Sequence, residues 1–167
     1  MNAEHVVEIL MVEDDPDDVK LALHSLKRFN LGNRIHVVGD GAEALDFVFC
    51  TGPYAGRSLD VPPKLILLDI KLPKIDGFEV LRRVRADPRT STLPVVLLTS
   101  SREERDVMLG YRLQANSYIV KPVDFEQFTE AIREVGMYWL VLNVAPAWPH
   151  AAESAAAASP TPSEVVA

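Results

Sequence analysis

The chain has 167 residues, of which 48% are hydrophobic and 25% are charged, and this composition suits one globular domain with an ordinary core. Its net charge of −7, with no basic block, argues against a nucleic-acid partner, and its single cysteine, Cys50, excludes a disulfide framework. Because the start lacks the basic flank of a signal peptide and no apolar run reaches the roughly 18 residues of a membrane span, we expect a cytoplasmic protein without a membrane partner.

Five strand-like apolar runs alternate with five helix-like segments along the chain. The predicted strands span residues 7–12, 35–39, 65–69, 94–98 and 117–120. The predicted helices span residues 16–29, 41–50, 77–86, 102–113 and 125–142. This alternation predicts an α/β fold, in which a parallel sheet has right-handed crossovers and helices on both faces. The third and fourth strands are apolar without alternation, as strands buried on both faces should be.

The predicted helices begin at recognisable capping residues. Asp15 precedes Pro16, which stands at the first helical position. Each of the other four helices follows an Asp or Ser that has Glu or Gln three residues later, the spacing of a capping box. These candidate caps are Asp40, Asp76, Ser101 and Asp124. Each of these residues therefore has a structural role that competes with any functional one.

Two segments do not fit this alternation. The connection 51–63 exceeds the usual length of about 2–6 residues, and it is either a functional loop or a tolerated surface insertion. From residue 143 onward the chain is rich in Ala, Pro and Ser, which predicts a disordered tail over 143–167. The predicted domain therefore spans residues 1–142.

Four of the predicted strands end on polar residues that suit one reaction. They lead into Glu13-Asp14-Asp15, Asp69, Thr99-Ser100 and Lys121-Pro122, in chain order. The carboxyl ends of parallel strands lie along one edge of the sheet, where open α/β folds place their sites. We therefore expect a cup of carboxylates, a hydroxyl and an ammonium group, which can bind Mg²⁺ and attack phosphorus with a carboxylate.

Each residue of this cup has an expected role. The like charges of Glu13 and Asp14 need a cation, and we expect Asp14 to ligate Mg²⁺ directly and Glu13 to do so directly or through water. Asp69 ends a buried strand and needs a cation or hydrogen bonds, either as the nucleophile or in a plain salt bridge with Lys121. Lys121 can pair with a phosphoryl oxygen, and Thr99 can donate to the same oxygen.

The same residues resemble the motif of the response-regulator receiver domain. The resemblance covers about residues 6–140 and includes Glu13-Asp14, Asp69, Leu72-Pro73, Asp76-Gly77, Thr99 and Lys121-Pro122. It implies a flavodoxin-like (βα)5 fold, with a doubly wound sheet of five parallel strands in the order 2-1-3-4-5. It also implies that Asp69 accepts a phosphoryl group from a phosphohistidine on a sensor histidine kinase.

The resemblance further implies roles for two residues outside the cup. Lys71, two residues after Asp69, departs from the small or amide residues that many receivers carry there, but its backbone carbonyl can still ligate Mg²⁺. Tyr118, three residues before Lys121, matches the aromatic switch position that works together with Thr99. Tyr118 would also serve as a half-buried strand aromatic.

A narrower resemblance is to the single-domain regulators that partner bacterial phytochromes. It lies in residues 45–47, 62–64, 115–125 and 138–143. It implies a bacterial phytochrome as the kinase and a homodimer through the face built from the fourth helix, the fifth and last helix, and the C-terminal segment. Phe128, Ile132, Val135, Trp139 and Leu142 form one helical stripe, of which the first members can pack on the sheet. We expect Tyr138, Trp139 and Leu142 to contact a second copy of the chain, and the rival occupant of this surface is the kinase, which must also dock near Asp69.

Two other classes of function compete with this interpretation. A Mg²⁺-dependent phosphatase that resembles the haloacid dehalogenases would use the same residue types, but with its nucleophile on the first strand rather than the third. A flavodoxin-like FMN carrier would need hydroxyl- or Gly-rich phosphate loops where this chain has Asp and Pro. We therefore expect a phosphoacceptor with a switchable surface rather than a classical enzyme.

Overall fold

The computed structural model describes residues 7–31 and 34–146. Five parallel strands form one sheet in the order β2-β1-β3-β4-β5. The strands are β1 (Ile9–Val12), β2 (Ile35–Val38), β3 (Leu65–Leu68), β4 (Val95–Thr99) and β5 (Ser117–Val120). The helices are α1 (Pro16–Arg28), α2 (Gly41–Phe49), α3 (Gly77–Ala86), α4 (Glu104–Arg112) and α5 (Phe125–Met137). This is the predicted fold and strand order.

Helices cover both faces of the sheet. Neighbouring residues of each strand point to opposite faces, so each face has its own cluster of apolar side chains. In β1, Leu10 and Val12 pack in a core cluster with α2 and α3, whereas Ile9 and Met11 pack in a second cluster with α1 and α5. The strands β1, β3 and β4 are fully buried, which explains their unbroken apolar sequences.

Four of the five predicted helix caps are confirmed. The side chain of Asp15 accepts hydrogen bonds from the backbone N–H groups of Asp17 and Asp18. Asp40, Asp76 and Asp124 each accept from the residue three positions later. The prediction for Ser101 is wrong, because α4 begins at Glu104, after Glu103. The Ser101 hydroxyl donates to Asp106 Oδ2 at 2.6 Å and accepts from the Glu103 backbone N–H at 3.4 Å, one residue before α4 begins.

The last α-helix ends at Met137, before the predicted end at residue 142. After α5, a π-helical turn spans Tyr138–Leu142. A Cβ atom at Gly136 would lie 2.9 Å from Leu26 Cδ2, so this glycine lets α5 approach α1 closely. Trp139 is half-buried and packs on the chain's own core cluster, whereas Leu142 is exposed. Part of the surface that we predicted for a dimer, the Trp139 side chain, is therefore packed against the chain's own core.

The connection 51–63 is fixed against α2 rather than loosely inserted. It contains a 3₁₀ turn, Gly52–Tyr54. The Arg57 guanidinium lies 3.5 Å from the Phe47 ring centroid and donates to the Phe47 carbonyl oxygen at 2.5 Å. Tyr54 donates to Glu43 Oε1 at 2.6 Å.

Cys50 ends α2 in a left-handed conformation and is half-buried. Among the described residues, no helix is long and apolar enough to cross a membrane. From residue 147 onward, the predicted tail lies outside the described residues.

Candidate functional site

Asp69 follows β3 at the carboxyl edge of the sheet, and it is buried. Its backbone N–H donates to the carbonyl oxygen of Val12, which continues the pairing of β3 with β1. Its Oδ1 accepts from the backbone N–H groups of Ile70, at 2.7 Å, and Lys71, at 3.4 Å. These bonds fix the orientation of the carboxylate and leave Oδ2 facing Lys121.

Glu13 and Asp14 follow β1 and lie beside Asp69. One carboxylate oxygen from each of Glu13, Asp14 and Asp69 falls within 4.8 Å of the others. Glu13 and Asp69 are buried, whereas Asp14 is exposed. Burial raises the pKa of Glu13 above its ordinary value, although its hydrogen bond with Lys121 opposes this shift. The predicted acidic cluster therefore exists, and Asp15 stands outside it as a helix cap.

The donor set of this cluster fits a hard divalent cation. Carboxylate oxygens are the ligands that Mg²⁺ prefers, and Mg²⁺ commonly takes one or two of them while it keeps several waters. Like charges held this close repel each other unless a cation lies among them. Lys71 is on the loop after β3, two residues from Asp69. Its backbone is therefore at the same carboxyl edge of the sheet as the three acids.

Lys121 follows β5 and its ammonium group is surrounded by carboxylates. Its Nζ lies 2.5 Å from Glu13 Oε2, 2.7 Å from Asp18 Oδ2 and 3.1 Å from Asp69 Oδ2. Burial alone would lower the pKa of Lys121, but the hydrogen bonds to Asp18 and Glu13 and the charge of Asp69 outweigh burial and raise it. The lysine therefore stays charged, and the expected salt bridge with Asp69 is present.

Asp18 is the member of the site that the sequence interpretation missed. It lies in the first turn of α1, not at the end of a strand, and it is 103 residues from Lys121 in the chain. The signal available in the sequence was an acidic residue one turn after Asp15, on the helix that leaves the acidic cluster. Such residues are common in first helical turns, so the signal alone was weak.

Thr99 and Tyr118 are connected through Ser101. Thr99 ends β4, is fully buried, and accepts a hydrogen bond from the Ser101 backbone N–H at 3.3 Å. The half-buried Tyr118 donates from its hydroxyl to the Ser101 carbonyl oxygen at 3.1 Å. Burial raises the pKa of Tyr118, so its hydroxyl remains a donor at neutral pH. The carbonyl oxygen of Thr99 also accepts from the Lys121 backbone N–H, so β4 and β5 end together.

Comparison with known proteins shows the family of this chain. The family model of the response regulator receiver domain matches residues 9–133 of this chain. Response regulator Rcp1 of Synechocystis sp. is 34% identical over 139 residues, which are 83% of this chain and 92% of that protein. The chain belongs to the response-regulator receiver family.

Solved structures give the same result. The Mn²⁺-bound form of Rcp1 has a TM-score of 0.76 at 34% identity, over 83% of this chain and 97% of that one. The phosphorylated cyanobacterial phytochrome response regulator RcpA has a TM-score of 0.77 at 36% identity, over 83% and 96%. The bacteriophytochrome response regulator RtBRR has a TM-score of 0.66 at 47% identity, over 89% and 90%.

Membership of this family implies a histidine kinase as partner, and the relatives link the chain to phytochrome response regulators. The acidic cluster can hold a divalent metal, the kind of ion that the Rcp1 structure contains. The alternative of a haloacid-dehalogenase-like phosphatase receives no support from these comparisons.

Proposed function

We propose that Asp69 accepts a phosphoryl group from a phosphohistidine of a sensor kinase and that Mg²⁺ is the cation this reaction needs. The proposal depends on the placement of Asp69 Oδ2, which is buried beside the Lys121 ammonium and lies in one cluster with Glu13 and Asp14. A carboxylate so placed can attack phosphorus. The P–N bond to the kinase histidine then breaks, and the imidazole leaves with the electron pair.

The surrounding groups have separate tasks in this transfer. The backbone N–H groups of Ile70 and Lys71 hold the Asp69 carboxylate in one orientation. Lys121 stabilises negative charge on the phosphoryl oxygens. Glu13, Asp14, Asp69 and the backbone carbonyl of Lys71 would hold Mg²⁺, which would supply positive charge beside those oxygens. The protein is thus a phosphoacceptor and a switch rather than a classical enzyme.

Intact mass after incubation with acetyl phosphate and Mg²⁺ tests this proposal. Wild type should gain the mass of one phosphoryl group, and Asp69→Asn should gain none. Asp60→Asn, in the exposed connection before β3, is the matched control and should be labelled like wild type. Equal labelling of wild type and Asp69→Asn would exclude Asp69 as the acceptor.

The metal ligands are tested by comparing two neighbouring acids. Asp14→Ala should weaken Mg²⁺ binding in calorimetric titrations far more than Asp15→Ala. Asp15→Ala should instead lower the free energy of unfolding by about 1 kcal/mol in urea, because it removes an N-cap. The reverse pattern would show that Asp15, not Asp14, contacts the cation.

The proposed switch couples Thr99 and Tyr118. The phosphoryl group would draw the Thr99 hydroxyl toward it, and the loop that carries Ser101 would move with Thr99. Tyr118 donates to that same loop, so its side chain would move inward as the loop shifts. Structures with and without beryllofluoride test this, and an unchanged Tyr118 rotamer in both would exclude it.

A bacterial phytochrome kinase is our proposed phosphoryl donor, supported by the similarity of the chain to the phytochrome response regulators RcpA and RtBRR. Purified phytochrome kinase should label the chain faster than an unrelated histidine kinase does.

A homodimer through Tyr138, Trp139 and Leu142 also stays a prediction. Tyr138 and Leu142 are 52% and 67% exposed, so both side chains are available to contact a second copy. Light scattering on wild type and on a chain truncated before Tyr138 tests it, and a monomeric wild type would refute it.

A cytoplasmic location and the lack of a nucleic-acid partner likewise stay predictions.

A further inference from the structure

The Lys121 ammonium group is held from α1 as well as from the ends of the strands. Its distance to Asp18 Oδ2 is 2.7 Å, shorter than the 3.1 Å to Asp69 Oδ2. The Lys121 side chain is only 10% exposed, and the Asp18 side chain is 30% exposed. Asp18 is therefore a strong partner of the lysine, at the border between the pocket and solvent.

We propose that Asp18 is a positioning residue that restrains Lys121 and thereby limits how tightly the pocket holds a phosphoryl group on Asp69. This inference rests on the proposed function of Asp69. It adds a determinant that lies neither at the end of a strand nor among the three acids that can ligate the cation.

The number of protons on the Lys121 ammonium group limits how many acceptors it can serve. Lys121 has three, and Glu13, Asp18 and Asp69 each accept one of them. A phosphoryl oxygen attached to Asp69 needs one of these protons, and Asp18 competes for the same ammonium group. The Asp18 charge also repels the phosphoryl oxygens directly. Both effects weaken the binding of a phosphoryl group.

The effect of Asp18 on a divalent cation has the opposite sign. Its negative charge adds to that of Glu13, Asp14 and Asp69 and attracts the cation. Replacement by asparagine keeps a hydrogen-bond acceptor but removes the charge. The variant should therefore bind the cation more weakly and, once the cation is saturating, bind a phosphoryl mimic more tightly. A residue that only stabilised α1 would not produce changes of opposite sign.

Two binding measurements on the full chain test this proposal. Asp18→Asn should weaken Mg²⁺ binding in calorimetry by about threefold, the size expected for one partly exposed charge. At saturating Mg²⁺ it should bind beryllofluoride about threefold more tightly, measured by ¹⁹F NMR titration. Asp18→Glu should restore values near those of wild type. Asp17→Asn is the matched control, because Asp17 lies in the same turn, 86% exposed, and contacts Lys20 instead.

The outcomes separate this inference from the proposed function. If wild type binds beryllofluoride with Mg²⁺ but Asp18→Asn has unchanged affinities, or weaker affinity for both ligands, the role of Asp18 is overturned. Asp18→Ser, which also removes the charge, repeats the test if the asparagine variant folds poorly. If Asp69→Asn binds beryllofluoride as wild type does, the proposed function itself fails.

Discussion

Replacing Lys121 by methionine removes the one ammonium group that the structure places among Glu13, Asp18 and Asp69. Methionine keeps a similar length and apolar stem, so the main change is electrostatic. The carboxylates would remain close together without their shared cation. We expect a clear loss of stability when Mg²⁺ is absent.

The magnitude follows from the burial of the charges. The side chains of Glu13 and Asp69 are only 2% and 9% exposed, so water screens their repulsion poorly. Breaking a buried ion pair by removing one partner costs about 3–5 kcal/mol. Asp18 is 30% exposed and can turn toward solvent, which reduces the penalty. We therefore expect Lys121→Met to lower the free energy of unfolding by about 3 kcal/mol, the lower end of that range.

Urea unfolding with EDTA, and then with Mg²⁺, measures this effect. The stability gap between variant and wild type should narrow with Mg²⁺, because a more negative pocket binds the cation more tightly and gains more stability from it. Lys64→Met is the matched control, since its pair with Glu8 is on the surface, and it should change stability by less than about 1 kcal/mol. Equal stability of Lys121→Met and wild type in EDTA would refute the electrostatic argument.

Two further predictions concern residues around the site and the connection 51–63. Burial lowers the pKa of His36, which is hydrogen-bonded to the Tyr54 hydroxyl, below 6.5, so the folded state disfavours the protonated ring. The free energy of unfolding should therefore fall as the pH drops through about 6.5, and urea melts of His36→Gln should lose that part of the pH dependence. A Cβ atom at Gly77 would collide with the Asp69 carbonyl oxygen. Gly77→Ala should lose about 2 kcal/mol of stability and reduce labelling by acetyl phosphate, whereas Gly56→Ala, in open space, should match wild type in both assays.

The sequence by itself determined the elements and the edge of the sheet that carries the site. The unbroken apolar runs of β3 and β4 identified strands buried on both faces, and a parallel sheet places the ends of such strands together. Asp69 and Lys121 could therefore be brought together from their positions alone. Asp40, Asp76 and Asp124 could be assigned as caps because capping is a local interaction within one turn.

Tertiary structure alone decided the contacts that depend on how the elements pack. Asp18 joins the pocket because the packing of α1 brings its first turn to Lys121, 103 residues away in the chain, and no local pattern specifies that approach. Ser101 does not cap α4, because the helix begins only at Glu104 and the loop that carries Ser101 is hydrogen-bonded to Tyr118 of β5. Trp139 lies partly on the chain's own core because Gly136 lets α5 approach Leu26 closely. The approaches of Asp18 to Lys121 and of Gly136 to Leu26 join residues distant in sequence, whose distances are set only when the helices pack on the sheet.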